Sequence, residues 1–62
     1  MMALFKKDDH VLVHYVDALR RITVFPGTID REAPADAEGP VYWVRTNLGV
    51  KLRVPENKLQ GV

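Results

Sequence analysis

The stretch YWVRTNLGVKLRV, residues 42–54, restricts the possible folds more than any other part of the chain. Two runs of alternating apolar and polar residues flank Asn47-Leu48-Gly49. That tripeptide suits a three-residue hairpin loop, with Gly49 in the left-handed conformation that other residues resist. The loop sets a register: Thr46 faces Val50, Arg45 faces Lys51, Val44 faces Leu52, Trp43 faces Arg53 and Tyr42 faces Val54. Side chains alternate across a sheet. One face is then Tyr42, Val44, Val50, Leu52 and Val54, a core face. The other is Trp43, Arg45, Lys51 and Arg53, three cations around an indole.

Sixty-two residues make one domain, residues 1–62. A chain of this length buries only about 60% of the surface it exposes when unfolded, so it needs a well-packed core or a partner subunit. It has no cysteine, which excludes disulfides and thiolate metal sites. No apolar run approaches the ~20 residues of a membrane span. The first seven residues have the wrong order and length for a signal peptide, so the expected location is the cytoplasm. The net charge of +1 hides an asymmetry. Residues 28–40 carry Asp30, Glu32, Asp36 and Glu38 against Arg31, whereas residues 41–62 carry Arg45, Lys51, Arg53 and Lys58 against Glu56.

Residues 1–9 read as a lead-in, with Leu4 and Phe5 able to pack over one end of a barrel and residues 6–9 solvated. The run HVLVHYV, residues 10–16, has the composition and alternation of a strand. Leu12, Tyr15, Val16, Leu19 and Ile22 also fall at helical spacing, so a helix competes there. Residues 17–21 form a turn. A second apolar run, residues 22–25, meets Pro26-Gly27, which a central strand does not tolerate; a bend or bulge is expected there, with the strand resuming over residues 28–31. EAPADAEGP, residues 32–40, reads as an acidic surface loop. After the hairpin, residues 55–59 suggest a tight turn, and residues 60–62 a last short strand or a frayed end. Four to five short antiparallel strands in so small a chain imply an all-β fold, bent into a small barrel.

Several segments resemble known families. Residues 5–13 (FKKDDHVLV) resemble the F-x-x-G-D-x-V-x-V opening of SH3-like barrels, with Asp8 in place of the glycine. Residues 25–29 (FPGTI) resemble the Y-P-G-x-I centre of Tudor-like domains, and residues 42–59 their closing hairpin and V-P-x-x-x-L turn. The resemblance spans residues 5–59 and implies a small SH3-like barrel. An aromatic cage for a methylated side chain would draw on Tyr15, Phe25, Tyr42 and Trp43, but the hairpin register points Tyr42 and Trp43 to opposite faces. A second resemblance is to the plasmid-borne type of dihydrofolate reductase, a small SH3-like protomer that forms a tetramer around a pore. Where that family has Val-Gln-Ile-Tyr, this chain has Val50-Lys51-Leu52-Arg53, so the likeness implies the fold and a capacity to oligomerise, not the activity.

The basic hairpin face is the best candidate for chemistry. Cations attract phosphates, and an outward indole can stack on a base. The same residues, Trp43, Arg45, Lys51 and Arg53, also suit an acidic protein surface. His10 and His14, four residues apart on a strand, lie roughly 13 Å apart and cannot share a metal ion. The acidic residues of 30–38 lack the spacing of a calcium loop. No Ser-His-Asp order, glycine-rich phosphate loop or HExxH motif is present. The expectation is a non-catalytic binding module without metal or cofactor. Nucleic acid is the first partner, an acidic protein surface or self-association through strand edges the second, and a pore-forming oligomeric enzyme the third.

Overall fold

The computed structural model describes residues 4–62. Five antiparallel strands form one sheet: β1 His10–Val16, β2 Ile22–Asp36, β3 Gly39–Thr46, β4 Lys51–Pro55 and β5 Leu59–Gly61. A 3₁₀ turn, Glu56–Lys58, links the last two. The strand order is β4-β3-β2-β1-β5. The fold is therefore all-β and barrel-like, as expected, but the end strands β4 and β5 do not pair and the sheet stays open. No helix among the described residues is long and apolar enough to cross a membrane.

The helix-or-strand ambiguity of residues 10–16 resolves as strand. Val11 and Val13 point inward and are buried, and the β-branched composition fits a pleated surface. The hairpin register is as expected, from Arg45 opposite Lys51 to Tyr42 opposite Val54. The loop closes with Thr46 N–H donating to Val50 O at 2.8 Å, and Gly49 has φ +82°. The core is Val11, Val13, Ile29, Tyr42, Val44 and Val54, with Phe5, Phe25, Leu52 and Leu59 around it. Val50 departs from the expected core face. It lies beyond the last ladder pair and is half exposed, because no layer of the sheet covers the hairpin end.

Pro26-Gly27 does not bulge the strand. β2 pairs β1 without a break from Ile22 to Thr28, and pairs β3 from Gly27 onward. The physical reason lies in the phase of the ladder. Asp17 N–H donates to Arg21 O, and bonded pairs alternate along an antiparallel ladder. That alternation turns the main-chain groups of residue 26 away from β1, to a side where β3 has not yet begun. The missing proline N–H thus costs no ladder bond. Gly27 is required for another reason, since a Cβ there would stand 2.6 Å from Val44 Cγ1. The bulge falls instead between Ile29 and Arg31.

The acidic segment 32–40 is not a loop. β2 runs to Asp36, β3 starts at Gly39, and only Ala37-Glu38 turn between them. Asp36 Oδ1 accepts from Glu38 N–H at 2.8 Å, and Gly39 takes φ +125°, so local turn chemistry closes a hairpin in spite of the prolines. Of the lead-in, residues 1–3 lie outside the described residues. Phe5 packs edge-on against Tyr42 with ring centroids 5.6 Å apart, while Leu4 is exposed. Residues 6–8 are exposed, and the backbone of residues 8 and 9 is tied to β2: Asp8 N–H donates to Ile29 O, and Ile29 N–H donates to Asp9 O.

The β1–β2 turn contains Arg20 at φ +62°, a conformation that is strained for a residue with a Cβ. Asp17 holds the turn by accepting from Leu19 and Arg21 N–H. Arg20 itself is exposed, so Arg20→Gly removes strain without removing packing. We expect a gain of about 1 kcal/mol, seen as a rise in Tm of about 4–8 °C by calorimetry.

Candidate nucleic-acid interface

The outer face of β3 and β4 is positioned by the core beneath it. Val44 and Tyr42 are fully buried, which turns their neighbours Trp43 and Arg45 outward. Trp43 is half-buried, while Arg45, Lys51 and Arg53 are exposed. All four expected residues therefore share one face. Trp43 pairs with Arg53 on β4 and with Arg31 on β2, so an arginine flanks the indole on each neighbouring strand.

Sequence alternation alone misplaces Arg31. Counted from the buried Ile29, residue 31 should point inward. The bulge at Asp30 inserts one residue, so that Ile29 opposes Val44 and Arg31 opposes Trp43. No residue type in β2 announces that bulge, and for this reason the fourth cation was not visible in the sequence.

The bulge also sets Asp30 among the cations. Its carboxylate lies 3.5 Å from Lys51 Nζ and 3.8 Å from Arg45 Nη1. The like-charge cross-strand pair Arg45–Lys51 is thus bridged by a shared acid. Both cations are about half exposed, and such pairs contribute at most ~1 kcal/mol each. Four cations against this one carboxylate leave the face with three net positive charges (4 − 1 = 3).

Arg53 is held differently. Its Nη2 donates to Pro34 O at 3.2 Å. Pro34 is on β2 and Arg53 on β4, so the side chain must cross β3, which lies between them. Beneath this path Val41 and Ala33 oppose each other and are buried although they sit on the outer face. A long cationic side chain on such a path can lay its aliphatic stem over apolar surface while its charge stays in water.

The histidines are separate, as expected. They lie on β1 four residues apart, and His14 Nε2 is 3.0 Å from Gln60 Oε1. Among the described residues no group of three or more His, Cys, Asp or Glu comes together to hold a metal ion. Fold and face together define a small all-β module with a basic, tryptophan-bearing outer sheet surface. No family model matches the chain, and no curated protein or solved structure matches it either.

Proposed function

We propose that this protein is a non-catalytic binding module that takes single-stranded nucleic acid on the outer face of β3 and β4. The observation that carries the reading is Trp43, partly exposed between Arg31 and Arg53 on the two flanking strands. An indole with a guanidinium on either side offers a stacking surface for one base and two cations for the phosphates on either side of it. Arg45 and Lys51 extend the positive surface along the hairpin. The small-barrel resemblance in the sequence agrees with such a role, since compact barrels use a sheet face to carry a strand of nucleic acid.

Trp43 is the only tryptophan, so its fluorescence reports binding directly. Titration with a short oligothymidine should quench its emission. With four phosphate contacts the slope of log K against log salt is about −2.8, so affinity should fall about 50-fold from 50 to 200 mM salt. Arg31→Ala and Arg53→Ala should each flatten that slope by about 0.7. Salt-independent binding, or emission that the oligonucleotide leaves unchanged, overturns the proposal and moves the face to an acidic protein surface.

A further inference from the structure

The sheet has one free edge that carries no charge. β2 begins to pair with β3 only at Gly27, so one side of residues 22–26 has no strand beside it. The same ladder phase that exempts Pro26 applies here. Val16–Ile22 and His14–Val24 are the non-bonded pairs, so the N–H and C=O groups of Ile22 and Val24 point away from β1 into solvent. Their side chains are exposed too, by 69% and 47%. With Tyr15, Val16 and Leu19 they make this end of the β1–β2 hairpin the densest group of exposed large apolar side chains among the described residues.

The other free edges differ. The outer edge of β4 presents Lys51 and Arg53, charges of the kind that keep strand edges apart. β5 is three residues long. The open side of β1 faces a groove lined by Leu52, Val54, Pro55 and Lys58 of the same chain.

The geometry points to a second copy of this chain on the edge Ile22–Val24, paired antiparallel about a two-fold axis at Thr23. Ile22 then stands opposite Val24 of the second copy, and Val24 opposite its Ile22. These are the two residues per copy whose main-chain groups point outward, so four hydrogen bonds form across the axis. Thr23 meets Thr23, and Arg21 stands opposite Phe25, so no like charges oppose each other. A shift of one residue sets outward groups against inward ones. A shift of two one way sets Ile22 against Pro26, which has no N–H to give, and the other way sets Val24 against Arg20, which leaves the extended conformation at φ +62°. The edge is thus complementary to itself in one register, as an isologous contact requires. Within residues 22–26 no charged side chain is present to select a foreign strand.

Sedimentation equilibrium tests this. The wild-type chain should show twice the 7.0 kDa of one copy at concentrations approaching the millimolar range. The double variant Ile22→Lys/Val24→Lys, which sets lysine against lysine at both pairs, should return the mass to that of one copy, with circular dichroism and Trp43 emission unchanged. If that chain does not fold, Val24→Pro gives the same reading, because it removes an outward N–H and leaves the β1–β2 ladder intact. A wild-type mass of one copy throughout overturns the inference. So does any assembly, dimeric or larger, whose mass these variants leave unchanged.

Discussion

Tyr42→Ala is expected to leave a large fraction of the chain unfolded at 25 °C. Tyr42 is the largest fully buried side chain. Removing a buried aromatic ring costs about 3–5 kcal/mol, and a domain of this length has only about 3–9 kcal/mol in total. The loss is not confined to packing. Tyr42 Oη donates to Glu56 Oε2 at 2.6 Å and accepts from Phe5 N–H at 3.4 Å, and Phe5 lies edge-on against the ring. One phenol therefore fastens the lead-in and the 3₁₀ turn to β3. Urea unfolding followed by circular dichroism measures the effect.

Tyr42→Phe separates the hydroxyl from the ring and should cost about 1–3 kcal/mol. It also predicts a pH dependence. Burial first, and the Glu56 hydrogen bond second, raise the Tyr42 pKa above its ordinary 10.0. In the folded chain the phenol holds its proton to higher pH than in the unfolded chain. Its contribution is thus complete below pH 10 and declines as pH rises from there through the folded value. The stability difference between wild type and Tyr42→Phe should therefore shrink above pH 10. A difference that stays constant there contradicts the coupling.

Gly27→Ala should destabilise by about 1–3 kcal/mol although it adds a single methyl group. The new carbon would sit 2.6 Å from Val44 Cγ1 and 3.5 Å from Val13 Cγ2. Val44 is fully buried and β-branched, so it has no free rotamer into which to withdraw. Gly27 is also the residue where β2 stops depending on β1 alone and begins to pair with β3, so the backbone cannot back away without breaking a ladder. Val44→Ala should partly rescue the variant. The double-mutant cycle should show a favourable coupling of about 1–2 kcal/mol, and strict additivity would show that the methyl group is accommodated elsewhere.

The hairpin was legible because a loop of three residues with one glycine fixes parity for every residue on both sides. Tyr42, Val44 and Val54 inside and Trp43, Arg45, Lys51 and Arg53 outside all follow from that count. Where parity was interrupted by something that leaves no trace in residue type, the reading failed. The bulge at Asp30 moved Arg31 to the outer face and placed a carboxylate between two cations. Pro26 and the prolines of 32–40 argued against strand, but their direction relative to the partner strand decides whether a proline harms a ladder, and composition does not encode that direction. Val50 is exposed although parity puts it on the core face, because parity says which face a residue points to, not whether anything lies above it.

Asp30 divides the basic surface into unlike halves. Beside the hairpin loop, Arg45 and Lys51 already have a carboxylate between them, and an incoming anion must compete with it. Farther along the strands, Arg31 and Arg53 flank the indole, and among the described residues the one partner held there is a neutral carbonyl. The field is strongest at the tryptophan and fades toward the loop. A bound strand would then be anchored at the tryptophan and loosely held at the hairpin loop.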